Sequence, residues 1–103
     1  MQNYQNKNFG SLSSVAATPA VLLSSLAHKH TVAAVPTGAP ASCALQLEGS
    51  LDNTNWFNLS GSQDASGGNI MFHVVDKPVM FVRINLTALS AGASVAVNYL
   101  GVF

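Results

Sequence analysis

Residues 44–59, Ala44-Leu-Gln-Leu-Glu-Gly-Ser-Leu-Asp-Asn-Thr-Asn-Trp-Phe-Asn-Leu59, spell out a β-hairpin in side-chain order. Cys43, Leu45 and Leu47 alternate with Gln46, Glu48 and Ser50, the period-2 pattern of a strand with one buried face. Asp52 to Asn55 supply the turn, because Asn and Asp tolerate left-handed backbone and bond to their own main chain. Trp56 to Leu59 return as the partner strand, opening on the only tryptophan.

The alternation continues on both sides. Downstream, Ile70, Phe72 and Val74 share one face, and Met71, His73 and Val75 the other, until Asp76-Lys-Pro78 is predicted to end the strand. Met80, Val82, Ile84 and Leu86 then oppose Phe81, Arg83 and Asn85. Ser90 to Ala93 turn the chain, and Val95, Val97 and Tyr99 alternate to its end. Gly61 to Asn69 read as a flexible polar loop outside the core. Upstream, Thr31 to Val35 form a strand closed by the turn cluster Pro36-Thr-Gly-Ala-Pro40. Ser11 to Leu26 are mixed, and Val21 to Leu23 suit a short strand or one helical turn. Six or seven short strands between turns, without an amphipathic helix, predict an all-β fold. The expectation is a small antiparallel β-sandwich, jelly-roll-like or immunoglobulin-like, over residues 11–103. Residues 1–10 form an extended polar N-terminal arm carrying Tyr4 and Phe9.

Composition narrows the partners. Only 8% of residues are charged and the formal net charge is zero, against about 25% charged in an ordinary soluble domain. So little repulsion predicts a surface partly covered by other subunits. No basic cluster exceeds His28-Lys29-His30, so nucleic acid is not an expected partner. No run reaches the ~18 apolar residues of a membrane span, and the polar amino terminus is not that of a secretory signal. The single Cys43 excludes an internal disulfide.

Catalytic equipment is sparse, with no nucleophile elbow, phosphate loop or zinc-binding helix motif, and no catalytic, cofactor or metal residues are assigned. Cys43 lies within an apolar alternation and reads as a small core residue. His28 and His30, two apart, would share a strand face and could ligate metal with His73, although solvated or hydrogen-bonded histidines are the commoner outcome. Asp52 to Asn55 offer calcium-type oxygens, yet the hairpin turn itself demands those residues. Asn58-Leu-Ser60 and Asn85-Leu-Thr87 match glycosylation triplets by chance. Trp56 either anchors the sandwich rim or stacks on a sugar. Arg83 either pairs with Glu48 or Asp52 or contacts a partner.

The run from Leu45 to Leu59, followed by Phe81-Val-Arg-Ile-Asn85, resembles the small β-sandwich modules in virion proteins of tailed bacteriophages. It is similar, more distantly, to the second half of discoidin-like jelly rolls, with their Ser-x-Asp-Gly-x-x-Trp hairpin and Arg-Tyr-Val-Arg strand. Ser50, Asp52 and Trp56 match the hairpin, and Phe81, Val82 and Arg83 match the strand's last three positions. Asn53 stands where that hairpin has glycine, and Met80 where the strand has its first arginine. The likeness spans residues 42–103, and the chain lacks the discoidin amino-terminal ligand loops.

Uncharged overall, cysteine-poor and Ser/Ala-rich with a polar leader, the chain resembles phage capsid-decoration (cement) proteins better than tail enzymes. That resemblance implies a non-enzymatic structural protein on the outer capsid surface of the virion, made in the host cytoplasm. Its partners would be the major capsid protein and copies of itself, as a homotrimer, contacted through Tyr4, Phe9, Trp56 and Arg83. The competing expectation is a carbohydrate- or receptor-binding module of a fibre, tail or baseplate.

Overall fold

The computed structural model describes residues 4–38 and 40–103, with eight strands and no helix among them. In chain order they are β1 (Tyr4–Leu12), β2 (Ala16–Ala17), β3 (Val21–Thr37), β4 (Cys43–Ser50), β5 (Phe57–Asn58), β6 (Gln63–Asp64), β7 (Ile70–Leu89) and β8 (Ser94–Val102). All pairings are antiparallel. The hydrogen-bonded order is β1-β8-β3-β7-β4-β5, with β2 beside β7 and β6 beside β4.

This continuous sheet folds over itself. Val32 and Ala34 on β3, Val95 and Val97 on β8, Leu45 and Leu47 on β4, and Val82 and Ile84 on β7 all have 0% exposure and belong to one core. A flat sheet could not cover them, because each inward face needs an opposing layer about 10 Å away. The smallest molecular extent, 20 Å, fits two layers. One layer holds β1, β8, residues 29–37 of β3 and residues 70–75 of β7. The other holds β2, residues 21–22 of β3, residues 79–89 of β7, β4, β5 and β6.

β3 and β7 make the crossing together. Their register jumps from Lys29–Val75 to Ala27–Val79, then to Leu22–Phe81. Residues 76–78 therefore bulge from β7 and residues 23–26 from β3, and such extra residues bend and twist a pair. Asp76 has φ 60°, a left-handed conformation costly for most residues but tolerated by Asp. Asp76-Lys-Pro78 was expected to end a strand. Instead it bends a 20-residue strand without ending it.

His30 clamps this bend. Its side chain is 1% exposed. Nε2 faces the Lys77 carbonyl oxygen at 3.0 Å and donates to it, leaving Nδ1 to accept from the Tyr99 hydroxyl at 2.6 Å. Gly101 lies opposite His30. A Cβ there would sit 2.5 Å from the Tyr99 hydroxyl oxygen, so a bare glycine leaves the phenol room to reach the imidazole. Lys77 extends the tie by donating from Nζ to the Leu59 carbonyl at 2.9 Å. Gly49 plays the same spatial role in the other layer, where a Cβ would meet Leu59 Cδ1 at 2.7 Å and Val79 Cγ1 at 2.8 Å.

Three further expectations change. The arm is extended as expected, but from Tyr4 it is edge strand β1, paired along β8, so residue 10 is no boundary. Gln5 fastens it to β3, donating to the Leu22 carbonyl and accepting from the Ser24 amide. Met1 to Asn3, and Ala39 within the expected turn, lie outside the described residues. Val21 to Leu23 open a 17-residue strand rather than a short one. The Gly61–Asn69 loop contributes β6 and the fully buried Ala65, whose amide donates to the Cys43 carbonyl at 2.8 Å. Cys43 is buried, and burial pushes its thiol up, away from thiolate reactivity.

Burial holds the His30 imidazole below its ordinary value, partly offset by the Lys77 bond and reinforced by nearby His28. The unfolded chain protonates this histidine near pH 6.5, while the folded chain keeps it neutral to lower pH. Between those two values the unfolded state binds more protons, so stability falls as pH drops. Melting temperatures should therefore decline as pH falls from about 7 to about 5. In His30→Gln that decline should flatten; an equally steep slope in the variant would remove His30 as its source.

Candidate functional site

The two outer faces of the sandwich differ in kind. The face of β4, β5 and β7 is polar, and its groups satisfy one another. Glu48 faces Arg83 and Gln46 faces Asn85 across β4 and β7, and Asn58 of β5 faces Glu48 from the other side. Arg83 Nε donates to Glu48 Oε1 at 2.7 Å. Glu48 Oε2 accepts from Gln46 at 2.7 Å and from Asn85 at 3.0 Å. Asn58 donates to Gln46 Oε1 at 3.1 Å.

Burial pushes the Glu48 carboxyl up, but the bonds from Asn85, Gln46 and Arg83 and the Arg83 charge outweigh it. The group is held below the ordinary range. It is therefore a carboxylate at neutral pH and unsuited to act as an acid.

Trp56 lies over this network, its ring centroid 4.2 Å from Arg83 Cζ, a cation–π stack. Ser50 and Glu48 are buried at outward positions. The Ser50 hydroxyl is wrapped by the turn, accepting the Asp52 and Asn53 amides. Glu48 is enclosed by Arg83, Gln46 and Asn85, with Arg83 in turn stacked on the indole. Trp56 is thus a half-buried rim anchor with one ring face occupied, and of the two carboxylates expected as partners, Glu48 or Asp52, Arg83 takes Glu48.

The adjoining turn is closed on itself. Asp52 Oδ1 accepts the amides of Thr54 and Asn55, each at 2.9 Å, and the Ser50 hydroxyl at 3.0 Å; Oδ2 accepts the Asn55 side chain at 2.8 Å. Those bonds, led by the Asn55 and Thr54 amides, hold the Asp52 carboxyl well below the usual range. Asn53 adopts φ 64°, as expected where the resembled hairpin has glycine. The oxygens weighed for calcium are thus engaged by the turn's own donors. Beyond the pinned turn, Leu51 and Phe57 stand 67% and 64% exposed.

The histidines do not converge. His30 is inside, His28 is exposed, and His73 Nδ1 pairs with the Thr31 hydroxyl at 2.9 Å on the outer face. A register shift between Ala27 and Lys29 breaks the two-residue rule that would have put His28 beside His30. Among the described residues no cluster of three metal-ligating side chains forms. The remaining sequence candidates, Tyr4 and Phe9, separate on β1. Tyr4 is 48% exposed, whereas Phe9 packs on the chain's own core, so it is a poorer partner contact than its sequence position implied. An open cavity of about 270 Å³ near Phe9, lined by Ser11, Leu12 and Thr18, holds no charged group.

The opposite outer face, of β1, β8, β3 and the start of β7, is different. Cross-strand rows read Tyr4–Val102–Lys29–Val75, then Asn6–Leu100–Thr31–His73, then Asn8–Asn98–Ala33–Met71, then Ser11–Ala96–Val35. Lys29 is the one Lys, Arg, Asp or Glu in those rows. Sequence periodicity had separated Met71, His73 and Val75 as one side of a strand. It could not show that four strands align such residues.

The fold is similar over 97% of this chain to YomS, an SPBc2 prophage-derived protein, with a TM-score of 0.70, 12% identity and 93% of that protein covered. It is also similar to CBM32-5 of a Clostridium perfringens GH89 protein, solved with GalNAc-β-1,3-galactose. That likeness has a TM-score of 0.53, 14% identity and 94% of each chain covered. At such identities the likeness is one of fold, and a jelly-roll-like sandwich is the shared architecture. No family model matches the chain, and no curated protein matches it.

Replacing Arg83 removes the ion pair and the indole's platform while leaving a buried carboxylate short of one donor. Arg83→Met should cost about 1–3 kcal/mol in denaturant unfolding. Adding Glu48→Gln should recover part of that loss, because the orphaned charge is then gone. A double variant no better than the single would mean that stacking alone carries the stability.

Proposed function

We propose that this chain is a non-catalytic structural protein of a bacteriophage particle, of the capsid-decoration type, bound to the outer shell through ordinary side-chain contact. One observation carries this reading. Among the described residues Glu48, Arg83, His30, Asp52 and Cys43 are engaged or buried inside the fold, and the exposed His28, His73 and Asp76 join no cluster of three metal-ligating groups, while nine large hydrophobic side chains stay exposed. Such a surface binds by contact and is poorly equipped to turn over a substrate. The fold-level likeness to a prophage-derived protein over nearly the whole chain supports a phage particle as the setting.

The hairpin end is the attachment surface this reading favours for the major capsid protein. Leu51 and Phe57 are presented there on a turn fixed by Asp52 and backed by the Trp56–Arg83–Glu48 stack. A preorganised turn loses little conformational freedom on docking. Mass spectrometry of purified native particles should find this chain in amounts comparable to the shell protein. Leu51→Ser with Phe57→Ser should lower its occupancy on the shell without lowering its melting temperature. A trace amount, or occupancy indifferent to the double variant, would defeat the assignment.

A second reading, a carbohydrate-binding module, draws on the half-buried Trp56 and on the fold-level likeness to a module solved with a disaccharide. It requires a free indole face beside the Arg83 guanidinium. Fluorescence of the single tryptophan should quench on titration with glycans under this reading, and stay flat under the first.

A further inference from the structure

We infer that His30 is an acid-sensitive latch: taking up one proton opens the β3–β7 bend locally and loosens the β4–β5 hairpin with it, before the sandwich as a whole unfolds. The inference concerns the isolated chain and is independent of any particle. Acid loss of global stability requires only that His30 be buried. Local opening requires, in addition, a weak bend and a tie that carries its movement to the hairpin.

The latch closes only on a neutral imidazole. Nε2 donates to the Lys77 carbonyl at 3.0 Å and Nδ1 accepts from the Tyr99 hydroxyl at 2.6 Å. A second ring proton would sit on Nδ1, aimed at an oxygen that already carries its own hydrogen. The phenol would have to turn that hydrogen away, and it has no other hydrogen-bond partner among the described residues. Losing the hydrogen is no escape, because burial pushes the Tyr99 phenol up. A closed, protonated site therefore holds an orphaned donor and a buried charge at once.

No anion is placed to receive that charge. On β3 the neighbouring groups are His28 and Lys29, both exposed. On β7 they are Asp76, which is exposed, and Lys77, whose ammonium donates to the Leu59 carbonyl at 2.9 Å. On β8 the facing group is Tyr99, and its cross-strand neighbour on β1 is Lys7. Arg83–Glu48, in the other layer, is the sole ion pair among the described residues. Cations thus outnumber the one nearby carboxylate, and the imidazolium is solvated only by letting water in.

The bend is where the sheet yields with least loss. Residues 23–26 and 76–78 lie outside the β3–β7 register, so exposing His30 there breaks few ladder bonds. Lys77 carries the movement onward. Its carbonyl is held by His30 and its ammonium by Leu59, and the Leu59 amide donates to the Leu47 carbonyl at 2.9 Å. Displacing residue 77 therefore pulls on the chain that leaves β5.

Amide hydrogen exchange of the full chain, resolved by NMR well below the melting temperature, tests this. Protection factors remove the intrinsic pH dependence of exchange. Once open, the site protonates at about pH 6.5. Below that pH, hydrogen-bonded amides in 27–30 and 74–79 should lose protection by up to about tenfold per pH unit, since opening takes up one proton. The Leu59 amide should follow them, while the Ala65 amide, bonded to Cys43, should hold. His30→Gln can donate and accept as the imidazole does but cannot titrate, and should abolish the response. Lys77→Met should spare Leu59 while the bend still responds; a Leu59 response unchanged by it would overturn the transmission through Lys77. No acid response, an equal loss at every amide including Ala65, or a response surviving in folded His30→Gln would each overturn the latch. Comparing Leu59 with Ala65 needs no variant, so the test stands even where His30→Gln fails to fold.

Discussion

The structure depends on carrying two long strands, β3 and β7, from one layer of the sandwich into the other without breaking the sheet. A backbone that bends must lose ladder bonds or insert residues, and here both strands insert residues at the same place. The freed polar groups then need partners, since unpaired buried groups cost as much as several surface contacts gain. His30 meets that need by bonding the Lys77 carbonyl from one nitrogen and the Tyr99 hydroxyl from the other. Lys77 reaches on to Leu59, which links the bend to the β4–β5 hairpin. The bend and the hairpin are thus one mechanical unit, and the bare backbones of Gly49 and Gly101 give its side chains their space.

Economy of charge shapes the two surfaces. Of eight acidic and basic residues, Glu48 and Arg83 neutralise each other under Trp56, and Asp52 is taken up by its own turn. Spending polar groups on internal order leaves the hairpin rigid and its outer face chemically quiet. The other outer face carries one lysine, with Val, Leu, Ala and Met interleaved with Asn, Thr and His at matched register.

Much of this architecture was legible from residue order. Strand faces in β4, β8 and the regular parts of β7 follow the two-residue alternation, because a regular strand forces it, whereas at the bend Val79 rather than Met80 enters the core. The turn at Asp52–Asn55 follows from side chains that bond their own backbone. Opposite charges narrowed the partner of Arg83 to Glu48 or Asp52, and the cross-strand register chose Glu48. Gln46 and Asn85, on the same outward face, were available to the same reasoning and went unremarked. The His30–Tyr99 pair left no such signal, since 69 residues separate its members.

By itself, then, the sequence determined an all-β chain, which side chains of each regular strand go inward, and where the turn between β4 and β5 lies. These are local properties, set by pleat geometry and by bonds within a few residues. Tertiary structure alone decided that Asp76-Lys-Pro78 bends a strand rather than ending it, that His30 is inside and His28 outside, that Ala65 is core, and that the polar leader from Tyr4 onward is a sheet edge. Each of those depends on which strand passes alongside or overhead. A register shift also interrupts the alternation at the very residues from which periodicity would have to be read.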